Sequence, residues 1–415
     1  MKFNIGKTFL LGFGFFGVSV IWSVYNAFVP VFLEEKFLMA AGFIGFFMTL
    51  DNIAALFIQP AVGNWSDRLR TSFGRRMPFI LIGAPVSAIA FIILPIATSI
   101  FLFFLAVLAL LLAMAVWRTP VIALMADINP SKYRSQANGV INFMGGLGAI
   151  IAFLGGAKLY EMNPTYPFLL GAVLVAVSAL LVFIFIKEPK VLTTKSEETP
   201  SLKESIKFIL NDKDKSALRI LLAILFWFIA YAGIEAFFTL YAKNYLGLTV
   251  ADGSRLLGQL SLLFVLFALP AGYIGASFGR RKTILMGIGV MTLCIISIFL
   301  LPVSTLATVL TTLPVLGKVP IIGLILMVIG IGWALININS LPMVVDMTDS
   351  SRIGTYTGLY YLFATLAAIA GPILYGLIIQ LSSGQYNLLM LVSPISLIIA
   401  AVLTFGVKRG EALPS

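Results

Sequence analysis

AVGNWSDRLRTSFGRRMPFILIG, residues Ala61 to Gly83, returns far downstream as AGYIGASFGRRKTILMG, residues Ala271 to Gly287. Both stretches place a glycine and a short polar turn before Phe-Gly-Arg-Arg, and both then enter an apolar run. A second echo keeps the same order. Asp127 and Gly139 stand twelve residues apart with Arg134 between them, as Asp346 and Gly358 do with Arg352 between them. Two matches in one order point to a duplicated unit, and the apolar runs around them set its size.

Those runs fall near 9–33, 39–63, 77–97, 100–126, 137–159 and 167–187, and again near 217–242, 256–276, 283–302, 320–346, 354–380 and 387–407. Each approaches or exceeds the ~20 residues that carry a helix across a bilayer. The 415 residues are 60% hydrophobic and only 11% charged, where a soluble protein carries roughly 25%. Lipid must therefore be the solvent, and the expected fold is an all-α membrane protein of twelve transmembrane helices in two pseudo-symmetric six-helix bundles. Residues 1–187 form the first bundle and 217–415 the second. The polar segment 188–216 is a linker with a short amphipathic helix around Leu202–Leu210, where Ile206 and Leu210 stand four apart.

The formal charge of +11 suggests nucleic acid until its distribution is read. Basic residues gather between alternate apolar runs, at Arg68 to Arg76, Lys132 and Arg134, Lys187 to Arg219, Arg280 to Lys282, and Lys408 with Arg409. That alternation is the positive-inside pattern. It predicts a multi-pass protein of the cell (inner) membrane with both termini cytoplasmic. The short basic start is the lead-in to the first helix, with no cleavage site after it. The chain has no histidine and a single cysteine, Cys294, so no disulfide, metal cluster or nucleophile–base set is expected. No Gly-x-x-x-x-Gly-Lys-Ser/Thr phosphate loop occurs, which argues against nucleotide coupling and against an enzyme.

Gly63-Asn64-Trp65-Ser66-Asp67-Arg68 with Gly74-Arg75-Arg76 resembles the loop 2–3 signature of the major facilitator superfamily. Gln59-Pro60 before it and Met77-Pro78-Phe79-Ile80 behind it are similar to the sucrose/proton symporters, neighbours of the glycoside–pentoside–hexuronide symporters. The run Thr119 to Asp127, then Arg134 to Gly139, fits the same group, and Gly233 to Glu235 and Asn339 to Pro342 resemble its bacterial branch. The resemblance implies the major facilitator fold, a monomer, a small sugar substrate and alternating access with H⁺, or Na⁺, as the coupling ion and no other cofactor. The usual coupling positions differ here: Leu111 and Ile122 stand where the plant proteins have aspartate and arginine, and Gln59 stands where the melibiose branch has an aspartate.

Ionisable groups inside a membrane are costly, so each marks a functional candidate. Asp51, Arg118 and Glu235 lie in mid-span and are the proton-coupling candidates. Asp51 and Arg118 stand at comparable depth and suit an ion pair. Glu235 shares a helix face with Tyr231 and can also accept sugar hydroxyls. Flat rings stack on pyranose C–H faces while amides bind hydroxyls in pairs, so Trp22 with Asn26 and Trp333 with Asn337, each one turn apart, are the leading sugar contacts. Asn339 follows, and Asn142, Gln259, Tyr356 and Tyr360 are weaker candidates. The resemblance assigns Asp67, Arg68, Arg75, Arg76, Asp127 and Arg134 to a cytoplasmic gate, with Arg280, Arg281, Asp346 and Arg352 as the second half's counterpart. Two rival functions stand beside sugar symport: antiport of drugs or other hydrophobic solutes on the same fold, and a membrane sensor that transports nothing.

Overall fold

The computed structural model describes residues 5–129, 134–188, 209–211, 214–348 and 352–411. Twelve of the described helices are long and apolar enough to span a bilayer. In the first half they are α1 (Ile5–Glu35), α2 (Ala41–Arg68), α3 (Met77–Ile96), α4 (Ile100–Ile128), α5 (Ala137–Met162) and α6 (Tyr166–Phe185). The second half has α7 (Ser216–Asn244), α8 (Val250–Phe278), α9 (Arg280–Leu300), α10 (Ile321–Val345), α11 (Ile353–Leu381) and α12 (Leu388–Phe405). This is the expected all-α membrane architecture. Helices start where the chain supplies a stop for the first turn's unpaired N–H groups. Ser99 accepts from the Leu102 N–H at 3.2 Å ahead of α4, and prolines that lack an N–H open α3 and α6.

The duplication shows in which helices pack together. In the first half α1 packs most extensively on α5 and α6, and α3 on α4 and α6. In the second half α7 packs on α11 and α12, and α9 on α10 and α12. Adding six to each first-half number gives the second-half pair. The closest approaches repeat as well. A Cβ on Gly148 of α5 would fall 2.6 Å from the Phe16 carbonyl oxygen of α1, and one on Gly371 of α11 would fall 2.7 Å from the Ile229 carbonyl oxygen of α7. Without a cohesive water phase between helices, such backbone-to-backbone contact is a main source of packing energy in lipid.

By contact the chain forms two units. The first gathers Met1–Leu38, Leu50–Lys195 and Val250–Gly258; the second gathers Met39–Thr49, Ser196–Thr249 and Gln259–Ser415. Two short segments thus change sides relative to the sequence boundaries at 187 and 217. Residues 39–49 belong to the second unit because Gly42 N donates to Gln380 Oε1 at 3.1 Å and Gly45 lies against the Pro372 carbonyl. They end in a break at Met48–Thr49, where the Thr49 hydroxyl donates to the Phe46 carbonyl at 2.7 Å. Residues 250–258 belong to the first unit. There Ser254 Oγ donates at 2.8 Å to the carbonyl of Phe153, which lies in a π turn, Ile151–Gly155, inside α5. A π turn leaves a carbonyl outside the regular ladder, and Ser254 supplies its donor.

Two features differ from expectation or lie beyond it. Most of the linker's amphipathic stretch, including Ile206, lies outside the described residues; Ile209 to Asn211 are helical, with Ile209 buried and Leu210 exposed. Between α9 and α10, where the sequence reads as a plain loop, the chain forms an antiparallel hairpin of β1 (Val309–Leu313) and β2 (Gly317–Pro320).

Candidate functional site

The Phe-Gly-Arg-Arg turn between α2 and α3 is a compact charge cluster. Asp127, at the end of α4, takes Arg75 Nη2 at 2.7 Å and Arg76 Nε at 3.1 Å. Asp67, at the end of α2, takes Arg76 Nη2 at 2.5 Å and Arg75 Nη1 at 3.5 Å. Arg76 is buried and also donates to the Ser66 hydroxyl. Arg68 is exposed, and the side chain of Arg134 lies outside the described residues. Composition gave no warning of a further member, Glu188. Its carboxylate accepts the backbone N–H groups of Arg75, Arg76 and Met77 at 2.8, 2.7 and 2.7 Å, so a negative charge sits on the N-terminus of α3.

The second turn repeats the cap and loosens the rest. Glu411 accepts from the Arg280 and Arg281 N–H groups at 2.6 and 3.2 Å at the start of α9. Arg280 pairs with Asp346, while Arg281 donates to the Val407 carbonyl at 2.7 Å. Arg352 is exposed at the start of α11. Gly74 and Gly279, at φ of 109° and 92°, precede the two arginine pairs, and a Cβ on either would meet the capping carboxylate. A left-handed residue with no side chain is what lets each carboxylate reach the helix end.

In the first unit α2 restarts at Leu50, which leaves Asp51 in a first helical turn. Its carboxylate accepts from Asn52 Nδ2 at 2.9 Å. Arg118 of α4 is its charged neighbour, and the buried Tyr25 of α1 lies within reach of its charge. Tyr25 does not stand out in the sequence, although it lies three residues after Trp22 and so shares its side of α1. Trp22 packs edge-on against Tyr25 at 5.7 Å, and its indole N–H is buried without a hydrogen-bond partner. Asn26 is half-buried one turn beyond Trp22, and Asn142 is exposed on α5.

Inside the second unit the matching tryptophan has another setting. Tyr231 of α7 stacks on Trp333 of α10 at 4.1 Å with planes 6° apart, and Phe228 meets the same indole edge-on at 5.2 Å. Trp333 is 4% exposed, so one of its faces is spent on Tyr231. The half-buried Glu235 lies one turn beyond Tyr231, close enough for its charge to act on the phenol, and Asn337 is half-buried on α10. Asn339 is buried and donates to the Ala271 and Leu335 carbonyls at 3.0 and 2.9 Å, which ties α10 to α8. Gln259 is buried and donates to the Leu316 and Lys318 carbonyls at 3.2 and 2.9 Å. Tyr360 bonds Ser340 at 3.0 Å, and Tyr356 is buried. Of the second-unit candidates, Tyr231, Glu235 and Asn337 are the ones left partly open.

The comparisons with known proteins agree with this architecture. The family model described as the Major Facilitator Superfamily matches residues 11–372. Sucrose transport protein SUC3 of Arabidopsis thaliana is 28% identical over 175 residues, covering 37% of this chain and 29% of that protein. Multidrug resistance protein 1 of Bacillus subtilis (strain 168) is 26% identical over 254 residues, covering 60% of this chain and 62% of that protein. The matched stretches thus span less than two-thirds of either relative. Among solved structures, the nucleoside transporter NupG in a mutant form superposes with a TM-score of 0.75 at 15% identity, covering 97% of this chain and 100% of that one. A bacterial homolog of the human lysosomal transporter Spinster gives 0.74 at 14% identity, covering 96% and 95%. Twelve spans among the described residues, a repeated helix-packing scheme and a family match over most of its length establish that this chain is a multi-pass membrane protein of the Major Facilitator Superfamily.

Proposed function

We propose that this transporter carries out proton-coupled symport of a disaccharide or glucoside of the sucrose or maltose type by alternating access. One observation carries the proposal: Glu235 stands beside the flat Tyr231–Trp333 stack in the interior of the second unit. A carboxylate next to an aromatic wall is the chemistry that binds a pyranose, the ring holding C–H faces and the carboxylate accepting hydroxyls. In the first unit Trp22 offers an indole N–H that lacks an acceptor, and Asn26 and the Asp51–Arg118 neighbours lie in the same unit. The match to a plant sucrose transport protein supports the same substrate class. Asp51 or Glu235 takes the proton, and its change of charge gives the substrate a state-dependent interaction, which coupling requires. The Asp67–Arg75–Arg76–Asp127 cluster serves as the conformational latch, with Arg280 and Asp346 as its counterpart. The positive-inside pattern supports a cell-membrane location with both termini cytoplasmic, and the fold suits a monomer.

Uptake into proteoliposomes tests this. Sucrose and maltose are offered with and without an inside-alkaline gradient to wild type, Asp51→Asn and Glu235→Gln, and a sodium gradient is run in parallel. Gradient-driven accumulation in wild type, with one variant retaining exchange but not accumulation, identifies the coupling carboxylate. No disaccharide movement under any gradient sinks the sugar assignment. Antiport of lipophilic cations is the second reading, favoured by the longer match to a multidrug resistance protein and by the same carboxylate beside rings. Thermal unfolding separates the two, since a ligand at a hundred times its Kd stabilises by about 2.7 kcal/mol. Stabilisation by disaccharides supports symport, and stabilisation by lipophilic cations alone supports the drug reading.

A further inference from the structure

The hairpin between α9 and α10 is neither loose nor covered. It is fixed at both ends, by Ile321, Val319 and Pro320 at the root and by Gln259 at the turn. Ile321 N donates to the Thr308 carbonyl at 3.0 Å, Val319 and Pro320 are buried, and the buried Gln259 of α8 donates its amide hydrogens to the Leu316 and Lys318 carbonyls. Its turn and first strand nevertheless expose apolar side chains. Val315 in the turn is 76% exposed and Leu310 on β1 is 54% exposed, and Val309 and Leu313 are exposed beside them. Among the described residues the two-stranded ribbon also leaves both outer edges without backbone partners.

The position of the hairpin decides what covers it. It lies at the end of α9 opposite the Arg280–Arg281 turn, and its second strand runs directly into α10. Both helices are membrane spans, so the hairpin is rooted at a bilayer boundary. The two spans it joins also expose apolar side chains, Leu293 and Leu300 on α9 and Leu324 and Val328 on α10. Lys318 is the one cationic side chain on the ribbon and is exposed.

We propose that the β1–β2 hairpin is a lipid-anchoring element whose apolar turn and first strand enter the interfacial layer of the bilayer while Lys318 pairs with a lipid phosphate. Burial of exposed aliphatic side chains drives the insertion. The covalent attachment to α9 and α10 holds the ribbon at the lipid surface, so little association entropy opposes it. Ser/Thr hydroxyls suit the headgroup level, and Thr311 and Thr312 lie exposed between the apolar positions.

A nitroxide on Val315→Cys, in a Cys294→Ala background and in vesicles of phosphatidylcholine with phosphatidylglycerol, tests the depth. Insertion gives collision rates with dissolved oxygen several-fold above those with a water-soluble nickel chelate, and Leu310→Cys gives the same order. Replacing phosphatidylglycerol with phosphatidylcholine moves both labels toward water, and Lys318→Ala abolishes that lipid dependence. Nickel collisions that equal or exceed oxygen collisions at both sites overturn the proposal, because the hairpin then stands in water. Spin–spin broadening that vanishes on dilution with unlabelled protein also overturns it, since a second copy would then cover the edge.

Discussion

The two Phe-Gly-Arg-Arg turns share a sequence but not a construction. In the first, two arginines converge on two carboxylates, and the Arg75, Arg76 and Asp127 side chains are only 12%, 6% and 9% exposed. In the second, among the described residues, Arg280 meets Asp346, whose side chain is 39% exposed, and Arg281 turns to a backbone carbonyl. The cause is local. The first turn is longer by the stretch that contains Asp67, and AGYIGASFGRR has no acidic residue at the corresponding place. Duplication kept the glycine, the two arginines and a carboxylate cap, while among the described residues the closed ion network lies in the first half. The second half relies instead on its C-terminal segment, Gly406–Glu411, which bonds α7 through Arg219 and Ser216 and α9 through Arg281 and Glu411.

Breaking the ion pairs gives the largest contrast. Arg76→Ala leaves Asp67 and Asp127 to Arg75 alone. Because both carboxylates keep that partner, the loss should exceed ~1 kcal/mol yet stay below the roughly 3–5 kcal/mol of a fully broken buried pair. Arg280→Ala removes a half-exposed pair and should cost under ~1 kcal/mol. Thermal unfolding in one detergent compares them, and equal losses would show that the two turns are equivalent after all.

The intramembrane charges come next. A double-mutant cycle over Asp51→Asn and Arg118→Gln should show a coupling of about 0.5–3 kcal/mol, the range for residues in contact or in one network. Additive losses would mean that each side chain is held by other partners and that Asp51–Arg118 is no functional pair.

The caps differ by less. Glu188 accepts three backbone N–H groups and Glu411 two. Glu188→Gln should therefore lower stability by about 1 kcal/mol, and Glu411→Gln by less. Gly74→Ala tests the same device from the other side. At φ of 109° its Cβ would fall 2.5 Å from Glu188 Cδ, so it should destabilise more than Gly279→Ala, whose Cβ would fall 3.0 Å from Glu411 Oε2.

The sequence announced the spans because lipid leaves a twenty-residue apolar run no other stable form. It announced the paired turns because glycine and arginine in fixed order are visible without coordinates. Glu188 and Glu411 were illegible for a different reason: each lies far along the chain from the helix it caps, and a lone carboxylate after a span reads as a loop charge. Trp22 and Trp333 look equivalent as Trp-x-x-x-Asn pairs, yet packing against α7 buries Trp333 under Tyr231 and leaves Trp22 with an unpartnered N–H. The hairpin was hidden by its setting. VLTTL followed by a Pro-x-x-Gly turn carries a strand signal, but between two long apolar runs it reads as an ordinary connection.

The smallest expected effect probes the second half's C-terminal segment. Asp214 precedes α7, accepts from the Ser216 hydroxyl and N–H at 2.7 and 2.9 Å, and forms an ion pair with Arg409, Nε to Oδ2 being 2.7 Å. The Ser216 hydrogen bonds, with Arg409 and Lys408 adding to them, hold its carboxyl below the ordinary aspartate range. A carboxyl depressed in the folded state contributes stability above its unfolded pKa and loses it as pH falls through the folded value. Asp214→Asn should therefore cost stability at neutral pH, by under ~1 kcal/mol because the pair is partly exposed. The difference from wild type should shrink as pH drops below about 4, the unperturbed aspartate value. A gap that stays constant down to about pH 3, well below that value, would mean that the Asp214 charge contributes nothing, and that the segment is held by its bonds to Ser216, Arg219, Arg281 and Glu411.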